Sequence, residues 1–175
     1  MRRWRHGPAA SKVDFLLDAP VPWADARVGQ AATVHVGGTA DEIVRAERDV
    51  ARGIMPERPF VMVAQQYAAD PSRGLVLWTY AHVPHGYRER RPGEVAEKIT
   101  AQIERFAPGF RGVVKDKIET PPRELEAWNP NLVGGDIAGG AMDGAQLLLR
   151  QPHRLRKGLY MASSSTAPGA GVHGM

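Results

Sequence analysis

The chain reads as an α+β fold: an antiparallel or mixed sheet with helices on one side. Three observations predict it. Residues 12–18 alternate, with Val13, Phe15 and Leu17 on one face, as in a half-buried strand. Two amphipathic helical patterns follow, near 40–52 and 94–106. Two apolar runs, 60–64 and 75–83, flank the turn Asp70-Pro-Ser-Arg-Gly74 and read as a hairpin. No alternating βαβ series is present, so this region is not a doubly wound nucleotide fold.

Each element has its own signal. Residues 33–36 are a short strand candidate. Thr39-Ala-Asp-Glu42 is a capping box, in which the threonine oxygen accepts from the Glu42 amide and the glutamate reaches back. Ile43, Val44 and Val50 are the apolar positions of the helix it opens, and Gly53 is a stop. In the second helix Val95, Ile99, Ile103 and Phe106 share a face, Glu94 and Lys98 form an i,i+4 pair, and Pro108-Gly109 ends it. Residues 113–118 read as one more strand. The stretch 129–141, NPNLVGGDIAGGA, holds four glycines and a proline and cannot be a regular element. Its Leu132, Val133 and Ile137 indicate a loop packed against something.

Composition narrows the function. The 175 residues suffice for one domain with a core, and 43% are hydrophobic. The absence of cysteine excludes disulfides, thiolate catalysis and cysteine metal sites. No apolar run approaches the ~20 residues of a membrane span. The basic N-terminus lacks the apolar segment of a signal peptide, and a cytoplasmic location is the expectation. The net charge is +4, and short basic clusters lie at 2–5, 88–91 and 154–157. Acids are interleaved and no nucleic-acid-binding motif accompanies them, so they read as solvated loops rather than a nucleic-acid surface.

Candidate chemistry is sparse. His82 and His85 have metal-like spacing, but no third ligand is evident and Pro84 disfavours a helix presenting both; no metal site is expected. Asp136 could orient a substrate or cap a turn, and turn capping is the commoner role. No Ser-His-Asp or paired-carboxylate arrangement can be argued, so no catalytic residue is assigned. At the end of the chain, Gly169, Gly171 and Gly174 fit G-x-G-x-x-G. Backbone can approach a phosphate closely there, because no Cβ intervenes. A dinucleotide fingerprint also needs a following helix, a strand and an acid, which the sequence does not contain.

Five segments in order carry a resemblance: PERPFVMVAQQ (56–66), LWTYAHVPHG (77–86), QIERFAPGFR (102–111), NPNLVGGDIAGGAMDGAQLLLR (129–150) and GLYMASSSTAPGAGVHGM (158–175). WRHGPAASKVDFLLDAPVPW (4–23) fits the same region. They resemble the phytoene-desaturase-like branch of the FAD-dependent amine-oxidase superfamily, the phytoene dehydrogenase-related oxidoreductases. The resemblance implies a flavoenzyme built from a dinucleotide-binding domain and an inserted substrate domain. It assigns residues 1–150 to the substrate domain and 151–175 to an incomplete C-terminal segment of the FAD-binding domain.

The N-terminal dinucleotide fold and the closing helix of that family have no counterpart in the sequence, so a fragment is expected, inactive by itself and a poor holder of FAD. The links at 72–74 and 153–157 are shorter than usual in the family. The implied activity is hydride transfer from substrate to flavin, with a small hydrophobic or amine-type substrate. The FAD-binding half would be supplied in cis or in trans. Ser164, Ser165 and Thr166 match the small-residue turn beneath the flavin. Pro168, Gly169 and Gly171 would let the backbone pass close to the isoalloxazine. Val172, His173 and Gly174 would begin the closing helix, whose N-terminus favours negative charge on the reduced flavin. For His173, backbone position is the preferred role over acid–base chemistry. The alternatives are a non-enzymatic α+β ligand- or partner-binding domain, or one half of a split flavoenzyme. For the tail without its partner, an exposed Ser/Gly-rich segment is the competing expectation.

Overall fold

The computed structural model describes residues 4–150, 154–166 and 169. Its elements are β1 (Ala9–Leu17), β2 (Thr33–Val36), α1 (Ala40–Ala51), β3 (Val61–Gln65), the single turn α2 (Gln66–Ala69), β4 (Val76–Val83), α3 (Glu94–Glu104), α4 (Phe110–Val113), β5 (Val114–Thr120), α5 (Pro122–Trp128), α6 (Gly144–Leu149), β6 (Arg154–Arg156) and β7 (Leu159–Tyr160). Short 3-10 turns lie between some of them. The fold is α+β. Five strands in the order β2-β3-β4-β1-β5 form one sheet, antiparallel at every pairing. A small hairpin, β6-β7, stands apart from it.

Period-two alternation decides which sheet face is buried. Val13, Phe15 and Leu17 of β1, Val61 and Val63 of β3, and Leu77, Ala81 and Val83 of β4 point into one core. Register aligns them, with Val13 opposite Thr79 and Thr79 opposite Val63. Against this face α3 lays Val95, Ile99 and Ile103, all buried, with Phe106 half-buried beside them. Phe110 meets Phe15 edge-on at 5.3 Å.

Thr79 and Gln65 are polar side chains buried in the sheet's core face. The Thr79 hydroxyl donates to the Val13 carbonyl at 2.8 Å. Gln65 accepts from Trp23 Nε1 at 2.7 Å and from the Tyr67 hydroxyl at 3.0 Å, and donates to the carbonyls of Val28 and Ala31. Both are paired, as buried polar groups must be. The opposite sheet face carries Lys12, Met62, Trp78 and Tyr80 and is half-buried. Burial raises the Tyr80 hydroxyl pKa, helped by the Glu47 charge.

Several expectations hold at residue level. The hairpin is β3-β4, the extra strand is β5, and the capping box at Thr39 is formed in both directions. Others change. In α1 the buried positions are Ala46 and Val50, whereas Val44 is exposed, because the helix turns its small face inward. The Glu94–Lys98 pair does not form. Glu94 is buried and takes the Arg90 guanidinium at 2.5 Å, while Lys98 reaches Glu57 at 2.5 Å. Tertiary neighbours there displace the local i,i+4 partner. Helices α5 and α6 carried no amphipathic signal that sequence reading had used.

Candidate functional site

The glycine-rich stretch 129–141 is a loop packed against something, and that something is the N-terminal segment. Asp136 organises the contact. Its buried carboxylate accepts the amides of Ala138 and Gly140 within the loop and of Gly7 across it, each at 2.8 Å. The His6 ring lies 3.4 Å away. Turn capping is therefore the role the structure gives this residue, extended by one amide from a distant segment.

The glycines admit their neighbours. Gly135 has φ +86°, and a Cβ there would lie 2.6 Å from Pro122 Cβ and 2.9 Å from its Cα. At Gly140 the space belongs to the Trp4 indole, 2.5 Å from where a Cβ would stand. Gln146, fully buried, clasps the Arg5 backbone from both sides, accepting its amide at 3.4 Å and donating to its carbonyl at 3.3 Å.

The tail closes onto the same loop. Ser163–Thr166 form a turn in which the Thr166 amide donates to the Ser163 carbonyl at 3.1 Å and the Ser165 amide to Ser163 Oγ at 3.1 Å. The Ser163 carbonyl also accepts from the Thr166 hydroxyl at 2.6 Å. Thr166 and Gly169 are buried and Ser164 is exposed. A Cβ on Gly139 would come within 2.9 Å of the Ser164 carbonyl carbon, so the turn rests directly on the glycine loop.

Arg150 fastens the contact. It is 5% exposed. Its guanidinium donates to the Ser164 carbonyl on one side and to the Gly140 carbonyl at 3.1 Å on the other. It also lies 5.8 Å over the Trp4 ring, while its Nε is buried with no partner. A planar fork suits this bridging role better than an ammonium would.

Of the residues read from the sequence as cofactor-binding, Ser164, Ser165, Thr166 and Gly169 thus lie together against the glycine loop and Arg150, with Thr166 and Gly169 buried. Pro168, Gly171, Val172, His173 and Gly174 lie outside the described residues. Sequence reading missed Trp4, Gln146 and Arg150. A basic or amide side chain at a helix end looks solvated until the fold buries it.

The two histidines with metal-like spacing part company. His82 bonds Glu47 at 3.0 Å, and His85 stacks on His6 at 5.3 Å beneath Gly134. Among the described residues no three His, Asp or Glu side chains are grouped to hold a metal ion. Nor is any helix among them long and apolar enough to cross a membrane.

No protein-family model matches the chain. It is 30% identical over 149 residues to the mouse (Mus musculus) pyridine nucleotide-disulfide oxidoreductase domain-containing protein 2, and 28% identical over 148 residues to the rat (Rattus norvegicus) protein of that name. Each match covers 74% of this chain and 25% of the relative. The chain therefore spans about a quarter of the curated relatives it matches. The relation is to oxidoreductase-domain proteins, distantly.

Proposed function

We propose that the chain is part of an FAD-dependent oxidoreductase of the phytoene dehydrogenase-like kind. In this reading residues 1–150 belong to the substrate domain and 151–175 return to the FAD-binding domain. The observation that carries it is the seating of the Ser163–Thr166 turn on the glycine loop by Arg150. Small residues and bare backbone are gathered there. The similarity to oxidoreductase-domain proteins supports the same reading.

The described part of this surface fits a flavin. Ser164 is exposed where it rests on Gly139, and Gly169 packs beside Met142 and Arg150. When bound, FAD would supply the redox chemistry by accepting hydride from the substrate. The residues of this chain hold and orient. In this reading the Ser164 and Ser165 hydroxyls offer donors and acceptors to ribityl and phosphate oxygens, while the Ser165 and Thr166 amides and the Thr166 hydroxyl are bonded within the turn and hold its shape. Arg150, with Asp136 behind it, fixes where that turn lies. A small hydrophobic or amine-type substrate is the class this reading implies.

The FAD-binding half would be supplied in cis or in trans, and exposed apolar side chains are available on α5 and α6 to meet it. Leu148 is 89% exposed and Trp128 79%. Apolar area of this kind marks an interaction site when it is contiguous.

The test joins this chain to a dinucleotide-binding domain of a phytoene dehydrogenase-like oxidoreductase and reads flavin absorbance after gel filtration. The fusion is expected to be yellow. Gly171→Val is expected to lose flavin with unchanged far-UV circular dichroism, because a side chain there would crowd the ring or the backbone. A colourless fusion, or a valine variant that keeps flavin fully, overturns the proposal. Flavin recovered only when the two halves are mixed as separate chains would establish the split form.

A further inference from the structure

The basic cluster at 88–91, which reads from the sequence as a solvated loop, lines a cleft of about 570 Å³ between β1, the loop 87–93 and the start of α5. That volume is in the range of small-molecule sites. The loop is held in place by two carboxylates. Glu94 accepts the Arg90 amide and the Tyr87 hydroxyl, both at 2.9 Å. Glu89 accepts the amides of Gly93 at 3.2 Å and Val95 at 2.9 Å. The loop also abuts β5, since a Cβ on Gly93 would lie 3.6 Å from Glu119 Oε1. Arg88 and Arg91 are thus carried on a rigid rim, and Arg123 lines the cleft from α5.

The charge balance inside the cleft is decided by which groups are already engaged. Arg90 is paired with Glu94, Lys12 with Asp14, and Glu119 with Lys117. Glu89 is occupied by two amides. The guanidinium groups of Arg88, Arg91 and Arg123 have no hydrogen bond or ion pair among the described residues, although Arg91 lies near enough to Glu97 to help lower its pKa; facing them, the Glu124 carboxylate is the one lining acid without such a partner. Ser11 also lines the cleft. It is 4% exposed, and its hydroxyl has no hydrogen-bond partner there. Three guanidinium forks without an ion pair and the Ser11 hydroxyl make a donor set for an oxyanion.

The geometry points to a binding site for a small phosphate-bearing molecule in this cleft, separate from the tail surface. Arg88, Arg91 and Arg123 would hold the phosphate oxygens and Ser11 would donate to one of them from the floor. Pyrophosphate is the probe, titrated into this chain by calorimetry, with amide chemical shifts read in parallel. Binding with a Kd of about 1 mM or tighter is expected, with shifts confined to Ser11, residues 87–93 and residues 121–124.

The double variant Arg88→Gln/Arg91→Gln is expected to weaken it by about tenfold or more, as is Arg123→Gln, since each removes charge-assisted bonds. Ser11→Ala is expected to weaken it less, with an unchanged circular dichroism spectrum. Arg154→Gln/Arg156→Gln, in another exposed basic cluster, is expected to leave it unchanged. Absence of binding overturns the site. Equal loss in the control variant does so too, because it would indicate general attraction to a basic protein. Succinate binding as tightly as pyrophosphate overturns the assignment to phosphate.

Discussion

At the scale of single residues, the candidate surface depends on a few buried polar groups with distant partners. Asp136 takes three amides. Each buried donor left without a partner costs about 1–3 kcal/mol. Asp136→Ala is therefore expected to destabilise the chain by about 3 kcal/mol or more, read as a lower midpoint in urea. Arg150→Met is expected to act more locally. It contacts the tail turn and the glycine loop but not the sheet core, so hydrogen exchange at Ser165 and Thr166 should accelerate while β1 and β4 keep their protection. Arg150→Lys should behave nearly like Met, because an ammonium cannot span both carbonyls. If lysine restored full protection, charge rather than the fork would be holding the turn.

Glycines separate by the same reasoning. Gly135→Ala meets Pro122 backbone at a positive φ and is expected to cost at least about 2 kcal/mol. Gly112→Ala, in α4 with open space around it and no positive φ, is expected to stabilise by about 0.4–1 kcal/mol. Thermal denaturation of the pair checks both signs.

At the scale of elements, carboxylates at helix starts set the pH response. Glu94, first residue of α3, is lowered from 4.5 to about 2. The Arg90 guanidinium is the main cause, and partial burial opposes it. Glu42 in the α1 capping box is also lowered to about 2, first by the Thr39 amide and then by Arg58. A carboxylate whose folded pKa lies below its unfolded value stabilises the fold above the unfolded pKa. That contribution is lost as pH falls through the window from 4.5 toward 2. The melting temperature should accordingly fall across this window. In Glu94→Gln the fall should be shallower and the neutral-pH value lower. An unchanged profile in Glu94→Gln would mean the Arg90 contact does not bias folding.

At the scale of the whole molecule, the sheet and its α3 cover form the core, while the N-terminal segment, the glycine loop and the tail turn meet in a separate cluster. This division predicts that the chain, purified alone, does not retain FAD. In the proposed reading the adenine and pyrophosphate are held mostly by the other half, and one turn supplies too few contacts to offset the lost freedom of binding. A yellow chain after gel filtration would contradict it. The division also predicts that Arg150→Met leaves the cooperative melting of the sheet intact.

The sequence by itself determined the local elements. Alternation marked β1, two apolar runs flanking a turn marked β3 and β4, a four-residue capping box marked the start of α1, and a single apolar face marked α3. These signals are legible because neighbours along the chain generate them. Glycine density marked 129–141 as irregular, and Leu132, Val133 and Ile137 marked it as packed, before any partner was known. Only the tertiary structure decided what that loop packs against. Gly7 and Asp136 are 129 residues apart, Arg5 and Gln146 are 141 apart, and no local pattern encodes either contact. For the same reason Arg150 carried no signal, Glu94 looked like the partner of Lys98, and the arginines at 88–91 looked like a solvated loop. A charged side chain's role follows from what the fold brings within hydrogen-bond reach and how far it excludes water, and both are properties of the folded chain.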